Sequence, residues 1–409
     1  MKRLFFGLLT LLSVCSYAQD SEKKITVKTY GFVGFDAIHD TRQSVSVRHN
    51  HVYLYPLNEN LDANGKDIND RSKTDMGIGI SRLGFAITGP DAFGATTSAK
   101  IEGDFLGAPG NSKDYMLRIR HAFFNLKWNK SSLLIGQTWH PLFVPENYPA
   151  MVNFVVGAPI HPISRAPQIR YTYQASSDFS VALYAMSQGD FKNSGALEQT
   201  EYANIPEMNV QFKYGSPKKF FAASTFGFKQ VLPKTLDDAE NYLNENVTSF
   251  HANLSLRYTT PAVTFKAEGA YGGNMTNLVM IGGLARKTEN GNAVNGEYEA
   301  IRTSAVWTDI HTNGKKVKFG LFAGITNNLG TANESSVIED EIGYTRGYNI
   351  ASVTAVSPRV VWTSGKVNIG LELLHTIAAY GDDLDEKSKP INTRNFSNNR
   401  LTLGCRYNF

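Results

Sequence analysis

The chain has 409 residues, 42% hydrophobic and 19% charged, with 41 Lys and Arg against 37 Asp and Glu. A formal net charge of +4 gives no reason to expect nucleic-acid binding, so any selectivity has to come from where the charges sit. Beyond the N-terminal segment no run approaches about 18 consecutive apolar residues, which excludes helical membrane spans.

The first element reads as a secretory leader. Lys2 and Arg3 precede the apolar run 4–12, and Ser16-Tyr17-Ala18 supplies a small-x-small cleavage site after Ala18. Cys15 invites a lipoprotein reading, but Val14 stands where that signal takes a small residue. The expected organisation is a signal peptide at 1–18 and one domain at 19–409, since no linker or low-complexity tract divides the rest. Cys405 is then the lone cysteine of the mature chain, and no intrachain disulfide forms.

Next come segments of about ten residues separated alternately by tight turns and long polar connections, the rhythm of a transmembrane barrel. Strands are predicted at 25–37, 76–88, 94–106, 115–128, 131–139, 167–175, 179–187, 206–214, 219–230, 248–259, 262–272, 298–308, 316–327, 350–363, 366–377 and 397–409. That makes sixteen, an even number, as a barrel with both termini on one side requires. The short connections, beginning with Gly89-Pro90-Asp91 and ending with Ser364-Gly365, would face the periplasm. The long ones, among them 38–75, 140–166, 188–205 and 273–297, would be extracellular or folded into the lumen.

Within strands the side chains alternate. In 250–258, Phe250, Ala252, Leu254, Leu256 and Tyr258 oppose His251, Asn253, Ser255 and Arg257. The same alternation runs to Tyr407 and Phe409, the expected assembly signal of an outer-membrane strand. A soluble sandwich shows this pattern too, with its polar face outward. Together with the leader it predicts an all-β fold, a transmembrane antiparallel up-and-down barrel. Sixteen strands leave an aqueous channel rather than a packed core, which points to diffusion of small hydrophilic solutes.

Lumen-facing charges then carry the chemistry. Arg118 and Arg120 share one strand face about 7 Å apart, and an arginine at the bilayer midplane costs roughly 2–4 kcal/mol on the lipid side, so both should point inward. Lys100, Glu102 and Asp104 share a face of the preceding strand, and Gln168 and Arg170 project from 167–175. Two readings stay open: charges that neutralise one another, or a transverse field that favours anionic solutes. The connection 140–166 holds Pro141, Pro145, Pro149, Pro159 and Pro162 among aromatic and small residues. Proline bars strand pairing, which suits a stiff segment folded inside to narrow the pore, flanked by His140, His161 and Arg165. A surface loop packed on a neighbouring subunit is the alternative.

Ser81-Arg82-Leu83-Gly84-Phe85, Glu102-Gly103-Asp104-Phe105, Arg118-Ile119-Arg120-His121-Ala122-Phe123, Gly136-Gln137-Thr138-Trp139 and Pro167-Gln168-Ile169-Arg170-Tyr171 resemble, in order, motifs of the DcaP-like outer-membrane porins. The resemblance covers residues 31–173. It implies a homotrimeric sixteen-stranded channel of the Gram-negative outer membrane, with an arginine-bearing constriction to which Arg82 is added, favouring anions such as dicarboxylates. Family members often carry an N-terminal coiled-coil extension; here only Gln19 to Lys24 separate cleavage from the first strand, so a trimer would rest on barrel contacts. Gly103 and Phe123-Phe124 are candidates for that contact.

Two other classes of function are open to such a chain. A barrel hydrolase needs a nucleophile and base brought together, and Ser255 with His251 is the kind of pair that chance supplies. An adhesin or binding barrel is the stronger alternative, because the outer connections are long. The acidic stretches 62–67 and 382–386 do not fit a calcium loop, and no cofactor or metal is expected. Expected partners are small anionic or polar solutes, outer-membrane lipid and the barrel-assembly machinery.

Overall fold

Exposure along the strands is inverted relative to a soluble sheet. In Val247–Thr259 the apolar Phe250 is 69% exposed and Leu254 52%, whereas His251, Asn253 and Ser255 are at most 4% exposed. Apolar side chains cover the outside and polar ones fill the inside, as a barrel wall in lipid demands. The computed structural model describes residues 24–107, 114–195 and 201–409. The expected leader at 1–18 lies outside the described residues.

Sixteen long strands form the wall: Thr26–Asp40, Arg82–Ala92, Ala95–Asp104, Arg118–Lys127, Ser131–Trp139, Arg165–Gln174, Phe179–Met186, Glu207–Gly215, Phe220–Val231, Val247–Thr259, Val263–Gly273, Asn292–Thr312, Val317–Asn328, Ile350–Ser364, Val367–Leu384 and Pro390–Asn408. Neighbours pair antiparallel, and the first strand closes on the last from Phe32↔Asn408 to Asp40↔Arg400. Four shorter pieces, Lys73–Gly77, Gly282–Glu289, Ser335–Ser336 and Thr345–Arg346, extend the same sheet at the end with long connections.

Three departures from the expected elements have local causes. The strand expected at 76–88 is two pieces, Lys73–Gly77 and Arg82–Ala92, which pair in turn with the first strand. At the break, Ser81 Oγ accepts from Gly34 N at 3.0 Å and donates to Gly34 O at 3.2 Å, taking over the missing ladder bonds. The turn expected at Gly89-Pro90-Asp91 lies instead at Phe93-Gly94, whose φ values of 53° and 71° suit a tight hairpin turn. Pro90, lacking an N–H, sits in the register irregularity between Gly89 and Ala92. Finally, Asn292–Thr312, Val367–Leu384 and Pro390–Asn408 begin or end beyond their expected bounds, because pairing continues where alternation has ceased.

The lumen is filled at the long-connection end. The 140–166 segment folds inward, joined by a hairpin of Ser44–Val47 and Val52–Pro56 and by the 3-10 turn Met275–Leu278. Leu54, Tyr55, Phe143, Val155, Val279 and Ile281 from the three insertions pack on Ile350, Val353 and Tyr380 of the wall. Burying each large apolar side chain is worth about 1.5–3 kcal/mol, so the insertions are held by a core of their own.

Polar ties fix the 140–166 segment across the lumen. Gln211 Nε2 donates to Pro141 O at 2.7 Å, Asn253 Nδ2 to Leu142 O at 2.9 Å and Asn147 Nδ2 to Ala267 O at 2.9 Å. Farther around the wall, Glu372 accepts from Val152 N at 2.6 Å and Asn153 Nδ2 at 2.8 Å, and Arg406 NH2 donates to Val152 O at 3.0 Å.

Candidate functional site

Between the 140–166 segment and the short-turn end lies a cavity of about 540 Å³. Its lining includes Arg82, Lys100, Arg120 and Arg165 from the first half of the chain and Lys266, Lys318, Arg359 and Arg406 from the second, against Glu102 alone among carboxylates. Seven of the eight are at inward positions of wall strands, set there by the two-residue period; Arg165 has the parity of the outward Ile169 and Tyr171 and reaches the lining as the first residue of its strand, where the chain leaves the inward segment. Phe32, Trp139, Phe143, Tyr148 and Phe154 supply the apolar parts of the lining.

The basic residues are partly committed. Glu102 accepts from Arg120 Nε at 2.9 Å and Tyr30 OH at 2.9 Å, and lies 3.3 Å from Lys100 Nζ and 3.5 Å from Arg82 Nε. Asp104 is gripped by Arg118 Nε at 2.9 Å and NH2 at 2.7 Å, and by Arg120 NH1 at 2.8 Å. Arg118 and Arg120, with side chains 9% and 3% exposed, are enclosed in these ion pairs rather than solvated. Elsewhere on the lining, Arg359 NH2 is 2.7 Å from Asp309 Oδ2, Lys266 Nζ donates to Tyr148 O at 2.8 Å, and Lys318 makes no ion pair among the described residues. Eight lining cations against Glu102, and against Asp104, Asp309 and Asp190 paired to Arg120, Arg359 and Arg165, still leave an excess of positive charge.

Arg165 joins the cluster from the strand that follows the inward segment. Its guanidinium lies 4.5 Å from the Trp139 ring centroid and its NH2 is 2.6 Å from Asp190 Oδ2. Burial alone would raise the Asp190 carboxyl, but Arg165, Arg118 and Arg48 around it hold it below the usual carboxylate range.

Other expected residues lie apart from the cavity. Arg170 sits 5.7 Å from the Tyr184 ring centroid, and Gln168 Nε2 is spent on backbone oxygens of Trp139, Ala166 and Thr138. His140 and His161 are buried between the inward segment and the wall, against Glu207 at 2.6 Å and Glu268 at 3.1 Å, and neither reaches the lining. Ser255 bonds Glu268 while His251 bonds Asn209, so the two do not act on one another. Tyr407 and Phe409 are 53% and 45% exposed on the outer face. Sequence reasoning missed Lys266, Lys318, Arg359 and Arg406; the signal was parity, each standing out of phase with outward residues such as Phe265, Phe319 and Tyr407.

His140, Glu207 and His251 bring three donor atoms within 4.8 Å of one another, a spacing a metal ion could use. Their hydrogen bonds argue otherwise. His140 Nδ1 accepts from Leu142 N at 3.1 Å, which puts its proton on Nε2, donated to Glu207. Asn209 Nδ2 donates to the same Glu207 oxygen, leaving Asn209 Oδ1 to accept from His251 Nε2 at 2.6 Å. Both imidazole nitrogens that would face a metal carry protons, and the trio is a closed polar network. In the outer connections Asp62 and Asp385 are likewise taken by backbone N–H groups, and at the end of Val367–Leu384 Asp382 is taken by Arg394 of the next strand at 2.9 Å.

Fold and lumen together define a transmembrane β-barrel narrowed by an inserted segment, of the outer-membrane kind. The profile described as DcaP outer membrane protein matches residues 16–228, and the chain belongs to that family. The fold is similar to that of the outer membrane channel DcaP of Acinetobacter baumannii, with a TM-score of 0.70 at 18% identity over 96% of this chain and 99% of the other. It also resembles OmpT of Vibrio cholerae in a trimer form, with a TM-score of 0.55 at 14% identity over 94% of this chain and 100% of the other. No curated protein sequence matches the chain.

Proposed function

We propose that this protein is an outer-membrane porin: a water-filled channel for passive diffusion of small hydrophilic solutes that favours anions, dicarboxylates among them. The observation that carries the reading is the lining, eight Lys and Arg side chains against the single carboxylate Glu102. In a narrow passage with low-dielectric walls such an excess raises the local concentration of anions. The cations lie on strands distributed around the circumference, so a solute charged at both ends finds a partner at each. Arg82, Lys100, Arg120 and Arg165 form the first-half side of the constriction; Glu102 and Asp104 hold Arg82 and Arg120 in place, and Asp190 holds Arg165.

The assembly follows the same reading. The leader is removed after Ala18, the barrel-assembly machinery receives the strand bearing Tyr407 and Phe409, and three copies associate through their walls in outer-membrane lipid. Purified protein in a planar bilayer under a salt gradient tests this. An anion-selective zero-current potential with conductance steps in threes is expected. Cation selectivity would sink the anion preference, and no conductance at all would favour a binding barrel.

A further inference from the structure

The arginine cluster beside the cavity already holds a carboxylate that the barrel wall does not supply. Asp190 lies on the connection between Phe179–Met186 and Glu207–Gly215, yet its side chain is 3% exposed. Its Oδ1 accepts from Arg118 NH1 at 3.0 Å and lies 3.5 Å from Arg48 NH2, while Oδ2 accepts from Arg165 NH2 at 2.6 Å. The backbone fixes this approach. Asp190 N donates to Arg165 O at 2.8 Å, and a Cβ on Gly189 would fall 2.8 Å from both Arg165 O and Pro167 Cδ, so glycine is what lets the chain come this near. Arg165 is the link to the cavity: it lines it, and its Nε and NH1 are buried without a hydrogen-bond partner among the described residues.

We propose that Asp190 is an internal competitor for solute anions, a specificity-determining residue that keeps them from lodging on the arginine cluster. The inference rests on the anion reading of the cavity. Several guanidinium groups converging on one carboxylate is an arrangement that would bind a free carboxylate or sulfate. Here that place is filled from within. Of the three carboxylates in the cluster, Glu102 and Asp104 belong to a wall strand and pair chiefly with arginines of the two strands beside it, whereas Asp190 is delivered by a connection to the side of Arg165. An arriving anion meets guanidinium groups whose charge is already partly answered. It occupies them briefly and leaves, which is the condition for conduction: binding strong enough to admit and weak enough to release.

The test compares wild type with Asp190→Asn in planar bilayers, adding sodium sulfate to a chloride baseline and recording interruptions of the single-channel current. Loss of the competitor should lower the half-blocking sulfate concentration roughly tenfold, the change that one such contact is worth in affinity, and lengthen the interruptions. Asp190→Glu, which keeps the charge, should stay close to wild type. Equal sulfate block in wild type and Asp190→Asn barrels of normal heat-modifiable mobility would overturn the assignment. So would failure of both Asp190→Asn and Asp190→Ser to assemble while Asp190→Glu does, since Asp190 would then be a folding clamp. The zero-current potential of the wild type reports separately on the anion reading, so failure of that reading is distinguishable from failure of this one.

Discussion

Arg400 grips both oxygens of Asp40, Nε to Oδ1 at 2.8 Å and NH2 to Oδ2 at 2.7 Å, where the first and last strands close the barrel. Each side chain is 1% exposed. Arg400 also donates to Asn50 O at 2.9 Å and Asn50 Oδ1 at 2.7 Å, and lies over the Tyr53 ring at 4.3 Å. The seam and the inserted hairpin are therefore locked by one guanidinium.

Removing one member of such a pair leaves the other buried and uncompensated, a loss of about 3–5 kcal/mol. Arg400→Met is expected to lower the temperature at which the folded barrel converts to the unfolded band on heating in detergent. Asp40→Asn with Arg400→Met should recover part of the loss, because no charge then remains unpaired. A transition at the wild-type temperature in the single variant would reject the seam lock.

Glu372 holds the far side of the inward segment through Val152 N and Asn153. Cutting that tether leaves the Val152 stretch to Arg406 and to the small wall positions Gly370 and Gly404, against which it packs. Glu372→Ala should give a folded barrel with larger and noisier single-channel conductance. Conductance equal to wild type would mean that the segment does not set the narrowest point.

How much of this was legible in the chain depends on which medium each face meets. Strands such as Ser131–Trp139 and Val247–Thr259 were placed almost to the residue, because lipid outside and water inside impose a two-residue period on the sequence itself. The insertions carry no such period. Val52-Tyr53-Leu54-Tyr55-Pro56 is a continuous apolar run, every residue buried, and 278–281 is another. Inside stretches expected to be polar connections, those runs were the available sign that 38–75 and 273–297 turn inward. The ion-pair network was half legible: Asp104 and Arg118 lie on adjacent expected strands and are register partners. Asp190 was not, since a connection of 188–205 leaves the position of each residue undetermined.

The lining separates charges that shape the field from charges that also hold the wall. Lys318 is exposed and unpaired among the described residues, so Lys318→Glu should shift the zero-current potential toward cations while leaving heat stability unchanged. Arg120 is 3% exposed between Glu102 and Asp104, and Arg120→Gln should both shift the potential and lower stability, because two carboxylates lose a partner. If the two variants behave alike in heat stability, the enclosed ion pairs contribute less than their burial implies.

Phe409 completes the ladder at the short-turn rim: its N donates to Gly31 O at 3.1 Å, while Asn408 N donates to Lys366 O at 2.8 Å. Its ring passes over Gly31, where a Cβ would lie 2.9 Å from Cζ. With Tyr407 also outward, the last strand presents aromatic side chains at the level where barrels carry their girdles. Phe409→Ser keeps the backbone bond to Gly31 and removes only the ring. The expected result is less heat-modifiable barrel in the outer-membrane fraction, with unchanged conductance in the molecules that do assemble. Wild-type amounts would assign the ring no part in assembly, and a changed conductance would mean that it also shapes the lumen through Gly31 and Arg82.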